Sequence, residues 1–371
     1  MEFTVSKTDL VRELNLSQGV VEKKTTIPIL SNVLLETDGN RIQLTATDLE
    51  LGIRCSFPAK VSKQGAGTIP AKRLLDYVRL LPDSDINVKL ADNQWASLVC
   101  GRSRTRIAGM SRESFPELPK MPEPMAEVPI RMLASMISKT IFAISAEESR
   151  FTLNGALMIL NEASMMMVAT DGHRLSLAEN ATDKPGVASS YRALLPKKAM
   201  SEILKLAAEA TPEATLKFSG DDNHLFFELG DRLLISRKLT GNFPDFERVL
   251  PKEHPHFVVL KRDEFRASIE RVAQFSDERS RAIRVQVVEG EVKIHSSISE
   301  TGESEESIPA EYSGDDVEIG FNAQYLLDFL RAVPEDQVAL HFRDPNSAGE
   351  LRPANGAEGS KYRYVIMPMR I

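Results

Sequence analysis

Three stretches of this chain open alike and stand at equal intervals. Ile69-Pro70-Ala71, Leu195-Pro196-Lys197 and Ile319-Gly320-Phe321-Asn322 each lead from an apolar strand signal into an amphipathic helix, with Leu195 126 residues after Ile69 and Phe321 126 residues after Leu195. The helix from Lys72 turns Leu74, Leu75, Val78 and Leu81 inward, the one from Lys197 turns Met200, Ile203, Leu204 and Ala207, and the third turns Leu326, Leu327 and Leu330. A period this long exceeds the ~20 to 50 residues of solenoid repeats, so tandem domains with separate cores are expected. A chain of 371 residues has room for three. Sheets with paired helices make the class α+β. The divisions fall at residues 1–125, 126–252 and 253–371, near the proline-rich 119–124 and 251–255.

Each repeat has an earlier helix as well, expected at 7–21 with Leu10, Val11 and Leu14 inward, at 131–143, and from Arg262 with Phe265, Ile269 and Val272 inward. Strand signals fill the intervals. The best defined is the run 165–168 that meets Asp171-Gly172, a signal for a tight two-residue turn, and returns through Leu175 and Leu177. Alternation places His173 and Leu175 on one face and Arg174 on the other, the plain reading being a satisfied histidine and a solvated arginine. Ala46-Thr47-Asp48 repeats the core of Ala169-Thr170-Asp171.

Composition excludes several classes. The amino terminus carries Glu2 and Asp9 without the apolar core of a signal peptide, and no run approaches the ~18 apolar residues of a membrane span. A cytoplasmic protein without membrane contact is expected. Cys55 and Cys100 match no metal or redox spacing and read as buried thiols. A net charge of −7 confines any nucleic-acid contact to one face. Asp171, His173 and a serine do not make a hydrolytic set without a Gly-x-Ser-x-Gly elbow, and glycine-rich phosphate loops are missing. His254-Pro255-His256 reads as a solvated linker rather than a metal site. Neither catalysis nor a cofactor nor a metal is expected.

Order, period and motifs together resemble the bacterial DNA polymerase III beta subunit, the sliding clamp, along the whole chain. Pro28-Ile29-Leu30, Ala46-Thr47-Asp48-Leu49-Glu50, Leu153-Asn154-Gly155, residues 169–175, Phe243-Pro244-Asp245-Phe246 and the terminal Tyr364-Val365-Ile366-Met367-Pro368-Met369-Arg370-Ile371 carry the likeness. Phe151 and Thr152 depart from it, since similar clamps carry aromatic hydroxyls there. The resemblance implies three DNA-clamp domains per chain, closing as a head-to-tail homodimeric ring with helices lining the hole and sheets outside. It implies a non-catalytic processivity factor on double-stranded DNA, with the replicative polymerase's catalytic subunit, the clamp loader and other proteins bearing a clamp-binding motif as partners. A scaffold that binds proteins without encircling DNA is the alternative.

The resemblance also implies sites. A partner-peptide groove between the second and third domains takes in Leu153, Thr170, Gly172, His173, Arg174, Leu175, Pro244, Arg248, Val249, Val365, Met367, Pro368, Met369 and Arg370. Methionines suit such a groove because the unbranched thioether repacks around different side chains. The polar helix faces offer Lys72 and Arg79, with Asp76 among them, and Lys198 and Lys205, which the resemblance turns toward DNA together with Lys24. At the ring's seams, Arg102, Arg104 and Arg106 share one strand face, and Glu300, Glu303, Glu305 and Glu306 form the acidic counterpart. Ile107 and Phe275 are the apolar contacts implied there.

Overall fold

A computed structural model of the chain describes residues 1–21, 26–182, 190–298, 302–356 and 359–370. Lys24, Glu300 and Ile371 lie outside the described residues. Two α-helices fall in each repeat: α1 (Lys7–Ser17), α2 (Ala71–Leu80), α3 (Ile130–Thr140), α4 (Lys197–Ala208), α5 (Arg262–Val272) and α6 (Ala323–Ala332). The first is shorter than expected, because the Gln18 N–H closes back on Leu14 and Asn15 just before Gly19. In α3, the Thr140 hydroxyl bonds the Met136 carbonyl and the chain tightens into a 3-10 turn over Ile141–Ala143. The inward stripe of α4 is Met200, Ile203 and Leu206, with Leu204 and Ala207 half-buried. A 3.6-residue period leaves i+3 and i+4 nearly equivalent, and the longer Leu206 takes the core.

The chain packs as two compact units, Met1–Ala134 with Lys198–Lys238, and Ser135–Lys197 with Leu239–Ile371. The middle repeat is divided between them. In the first unit, strand Arg232–Arg237 of the second repeat pairs antiparallel with Leu51–Pro58 of the first, Ser236 opposite Leu51 and Arg232 opposite Cys55. In the second unit, strand Ser360–Ile366 of the third repeat pairs with Arg174–Ala181 of the second, Ile366 opposite Arg174 and Ser360 opposite Asn180. Each joint completes an eight-stranded sheet. The expected separate cores are therefore corrected: the repeats share sheets, since an edge strand's free N–H and C=O groups are satisfied by the next repeat's edge. We call these pairings the first and second joints. A five-stranded sheet in the first unit ends in strand Ser103–Ala108, and a four-stranded sheet in the second ends in Gly302–Pro309.

Both cysteines are free and buried, and burial pushes the Cys55 thiol well up. The expected solvated linker at His254 is corrected. Its side chain is 4% exposed, with Nε2 3.1 Å from a carboxylate oxygen of the fully buried Glu350, because the chain runs inward to begin strand His256–Lys261. Among the described residues no group of three His, Cys, Asp or Glu could hold a metal ion, and no helix is long and apolar enough to cross a membrane.

Candidate partner-binding site

The turn between strands Ser164–Thr170 and Arg174–Ala181 has three residues, not two, with Gly172 at φ +91°. The Thr170 hydroxyl donates to the Arg174 carbonyl at 2.6 Å and accepts from the Gly172 N–H. One Asp171 carboxylate oxygen accepts from the His173 and Arg174 amides. The extra residue corrects the expected facing of His173, which stands exposed in the turn instead of beside Leu175 on the strand.

Arg174 is not solvated either. Its side chain is 9% exposed, and the guanidinium donates to Asp171 at 3.0 Å, to Asp328 on α6 at 2.6 Å and to the Phe142 carbonyl at 2.6 Å. It also lies 4.2 Å over the Tyr325 ring. Burial would lower its pKa, but Tyr364, Asp328 and Asp171 outweigh that and hold it above the ordinary value. A cation so committed shapes the site and offers few donors to a ligand.

Beside it, Leu175 and Val365 pack in a cluster with Leu157, Val168, Leu177 and Phe246, against which Phe243 and Leu250 are half-buried. Leu153 is buried in the 3-10 turn Phe151–Leu153 and is not among the cluster's members. His173, Pro244, Arg248, Val249 and Met367 are exposed, and Thr170, Pro368 and Met369 are half-buried. Met367 is 46% exposed and Val249 likewise, large apolar side chains left in water. The Met367 N–H bonds the His173 carbonyl at 2.9 Å, and the Met369 N–H bonds the Gly320 carbonyl at 2.8 Å, which fix the carboxyl-terminal segment. Met367, Pro368, Met369 and Arg370 line a cleft of about 420 Å³ with Arg284, Glu318, Pro345 and Asn346, which sequence reasoning missed. Phe246 was within a quoted motif, whereas Asp328 and Asn346 gave no local signal.

The four described cations on helix faces are exposed but not free. Lys72 pairs with Asp76 at 2.5 Å, Lys205 with Glu202 at 2.7 Å, Lys198 with Asp48, and Arg79 donates to Asn15. At the sheet edges, Arg104 and Arg106 point outward from Ser103–Ala108, while Arg102 lies in the preceding turn, which corrects its place on the strand. Glu303 and Glu305 are exposed on one face of Gly302–Pro309. Glu306 alternates to the other face, where Arg271 binds it at 2.5 Å and holds its carboxyl below the usual range. Ile107 is already 3% exposed, and Phe275 is 38% exposed.

The family models for the DNA polymerase III beta subunit N-terminal, central and C-terminal domains match residues 1–119, 127–245 and 247–370. The beta sliding clamp of Pseudomonas putida is 35% identical over 377 residues, covering all of both chains. That of Caulobacter vibrioides is 34% identical over 385 residues, again covering both chains fully. The crystal structure of the Pseudomonas aeruginosa clamp bound to griselimycin is similar along 100% of both chains, with TM-score 0.93 and 33% identity.

Proposed function

Because the chain belongs to the DNA polymerase III beta subunit family, we propose that the edge strands Ser103–Ala108 of one copy and Gly302–Pro309 of another join in a head-to-tail homodimer and close a ring of six repeats. The chain is a DNA sliding clamp, a non-catalytic processivity factor with the three-domain clamp fold. DNA and polymerase are its partners in that role. The domain limits 1–125, 126–252 and 253–371 and a cytoplasmic setting belong to the same proposal.

The joints inside the chain carry it. Strand Ser103–Ala108 stands in the first repeat where Arg232–Arg237 stands in the second, each following a turn glycine of positive φ, Gly101 and Gly230. Gly302–Pro309 stands in the third repeat where Leu51–Pro58 and Arg174–Ala181 stand in the others. These two edges are thus of the same two kinds that pair within the chain. Transferring the register of Leu51 and Ser236 sets Ile107 opposite Gly302 of the partner copy, Arg106 opposite Glu303 and Arg104 opposite Glu305. Opposite charges facing across antiparallel strands favour this pairing, and like charges disfavour two first or two third domains.

The exposed Met367 and Val249, together with the Leu175–Val365 cluster, support a partner-peptide groove, to which Leu153, Thr170, Gly172, His173, Pro244, Arg248 and the 368–370 segment belong in this reading. It serves the polymerase's catalytic subunit, the clamp loader and other proteins with a clamp-binding motif, one at a time. Lys72, Arg79, Lys198 and Lys205 face DNA, held by screened attraction that changes little along the duplex. The test is retention on nicked circular DNA together with a solution mass of two chains. Retention should vanish when the circle is linearised; equal retention on linear DNA, or a single-chain mass, overturns closure.

A further inference from the structure

We infer that Trp95 is a positioning residue of the proposed seam, where its ring holds the Arg106 guanidinium ready for Glu303 of a partner copy. Trp95 is the only tryptophan of the chain, and 40% of its surface is exposed. It opens strand Trp95–Cys100, which pairs antiparallel with the edge strand Ser103–Ala108. Trp95 stands opposite Ala108 and Ser97 opposite Arg106, so Trp95 and Arg106 are diagonal neighbours on one face. The other face buries Ala96, Leu98 and Ile107. The Arg106 Cζ lies 4.9 Å from the centroid of the Trp95 ring. The backbone beneath the ring is itself fixed. The Trp95 N–H donates to the Asn93 side chain at 3.3 Å, and its carbonyl accepts from the Ala91 N–H at 3.0 Å. The Gly109 N–H, just past the edge strand, donates to the Gln94 carbonyl at 2.8 Å, and a Cβ there would lie 2.0 Å from the Thr68 carbonyl oxygen.

Charge gives the stack its use. Among the described residues, no ion pair within the chain ties Arg104, Arg106, Glu303 or Glu305. These are the four charges that the transferred register sets face to face, Arg106 with Glu303 and Arg104 with Glu305. An arginine free in water gives up rotamer freedom when it makes such a pair. The Trp95 ring takes up part of that loss beforehand. A guanidinium stacks flat on an indole face, while its N–H groups lie in its own plane and stay open to a carboxylate. Arg104 stands opposite Val99 and has no such ring, so the two pairs of a seam differ: Arg106 is held in advance and Arg104 is recruited on contact. A head-to-tail ring repeats each contact at two seams. A stack worth a factor of about two to five at one seam therefore changes the dimer dissociation constant about five- to thirtyfold.

This inference rests on the head-to-tail reading of the two edge strands. The test is a double-substitution cycle on the full chain: dimer dissociation constants by sedimentation at low salt for the parent, Trp95→Ala, Arg106→Gln and both together. Trp95→Ala should weaken the parent dimer about five- to thirtyfold, and Trp95→Phe, which keeps a weaker ring, should fall between. In the Arg106→Gln background, Trp95→Ala should change the constant by no more than about twofold. A single-chain mass for the parent overturns the head-to-tail reading itself. A dimeric parent that Trp95→Ala leaves unchanged overturns the inference alone. Equal weakening in both backgrounds overturns it too, because Trp95 would then act without Arg106. If Trp95→Ala does not fold, Trp95→Leu, which keeps apolar bulk without a ring face, takes its place in the same cycle and is read by the same outcomes.

Discussion

Arg174 sits at a strand position that alternation alone would leave in water, yet four acceptors and two rings enclose it. Asp328 lies 154 residues away in sequence, so no local pattern could reveal the pair. Replacing Asp328 by Ala leaves the buried guanidinium with Asp171 as its one remaining carboxylate among the described residues. A loss of about 2 kcal/mol in denaturant stability is expected, less than the ~3–5 for stripping a buried charge of its only partner. An unchanged midpoint would show that Asp171 suffices. A second buried group, Glu350, accepts from Arg363 at 2.5 Å, Arg352 at 2.6 Å and His254 at 3.1 Å. Burial pushes its pKa up, but Arg363, His254 and Arg352 prevail and hold it far below 4.5. Its contribution is present above pH 4.5 and is lost as pH falls below that. Burial, with Arg352, lowers His341 from 6.5 to about 4. The unfolded chain takes up that proton first, so stability is full above pH 6.5 and declines as pH falls toward 4. Because His341 is only half-buried, screening limits the effect to about 1–2 kcal/mol. Thermal midpoints measured from pH 7.5 to 4.5 should fall less steeply in His341→Phe than in the parent, and parallel curves would remove His341 from the account.

Helix stripes and turn dipeptides make most elements legible in the sequence, because each is set by neighbours within one or two turns. Joints were not legible, since which edge meets which depends on strand ends far apart in sequence. The alternation of Arg104 and Arg106, and of Glu303 and Glu305, was visible, whereas the in-chain capture of Glu306 by Arg271 was not. The exposure of Leu80 fits the proposed seam. Leu80 is 86% exposed, while Leu206, 126 residues later at the same helix position, is fully buried. From the transferred register, Glu303→Lys with Glu305→Lys should weaken the dimer about tenfold or more, and adding Arg104→Glu with Arg106→Glu should restore it. Exposed pairs contribute only ~0–1 kcal/mol each, but the swap replaces two attractions by two repulsions. Sedimentation at low salt is the measurement. A Lys variant as tightly dimeric as the parent, or a quadruple variant with no recovery, rules out this register. Leu80→Asp should weaken the dimer without touching peptide binding, which separates the seam from the groove.

At the scale of the whole molecule, a net charge of −7 must coexist with a partner that carries a dense negative charge. Lys72, Arg79, Lys198 and Lys205 reconcile the two only in part. Three of them already face a carboxylate of their own chain, so in the proposed DNA-facing role each acts partly neutralised. That suits a protein whose hold on DNA is topological, because strong phosphate contacts would oppose sliding. It also sets a quantitative expectation. Four free cations contacting phosphates would contribute about 3.5 to the slope of log affinity against log salt, at roughly 0.9 per phosphate on B-DNA. Neutralising partners reduce this, so changing all four to Gln should lower the slope by only about 1 to 2. The measurement belongs on short linear duplexes, where closure retains nothing and only the contacts are read. The same variant on nicked circles should load more slowly yet remain bound once closed. A slope change near zero would take these helix faces off the DNA path, and rapid loss from closed circles would mean that contacts, not closure, hold the duplex.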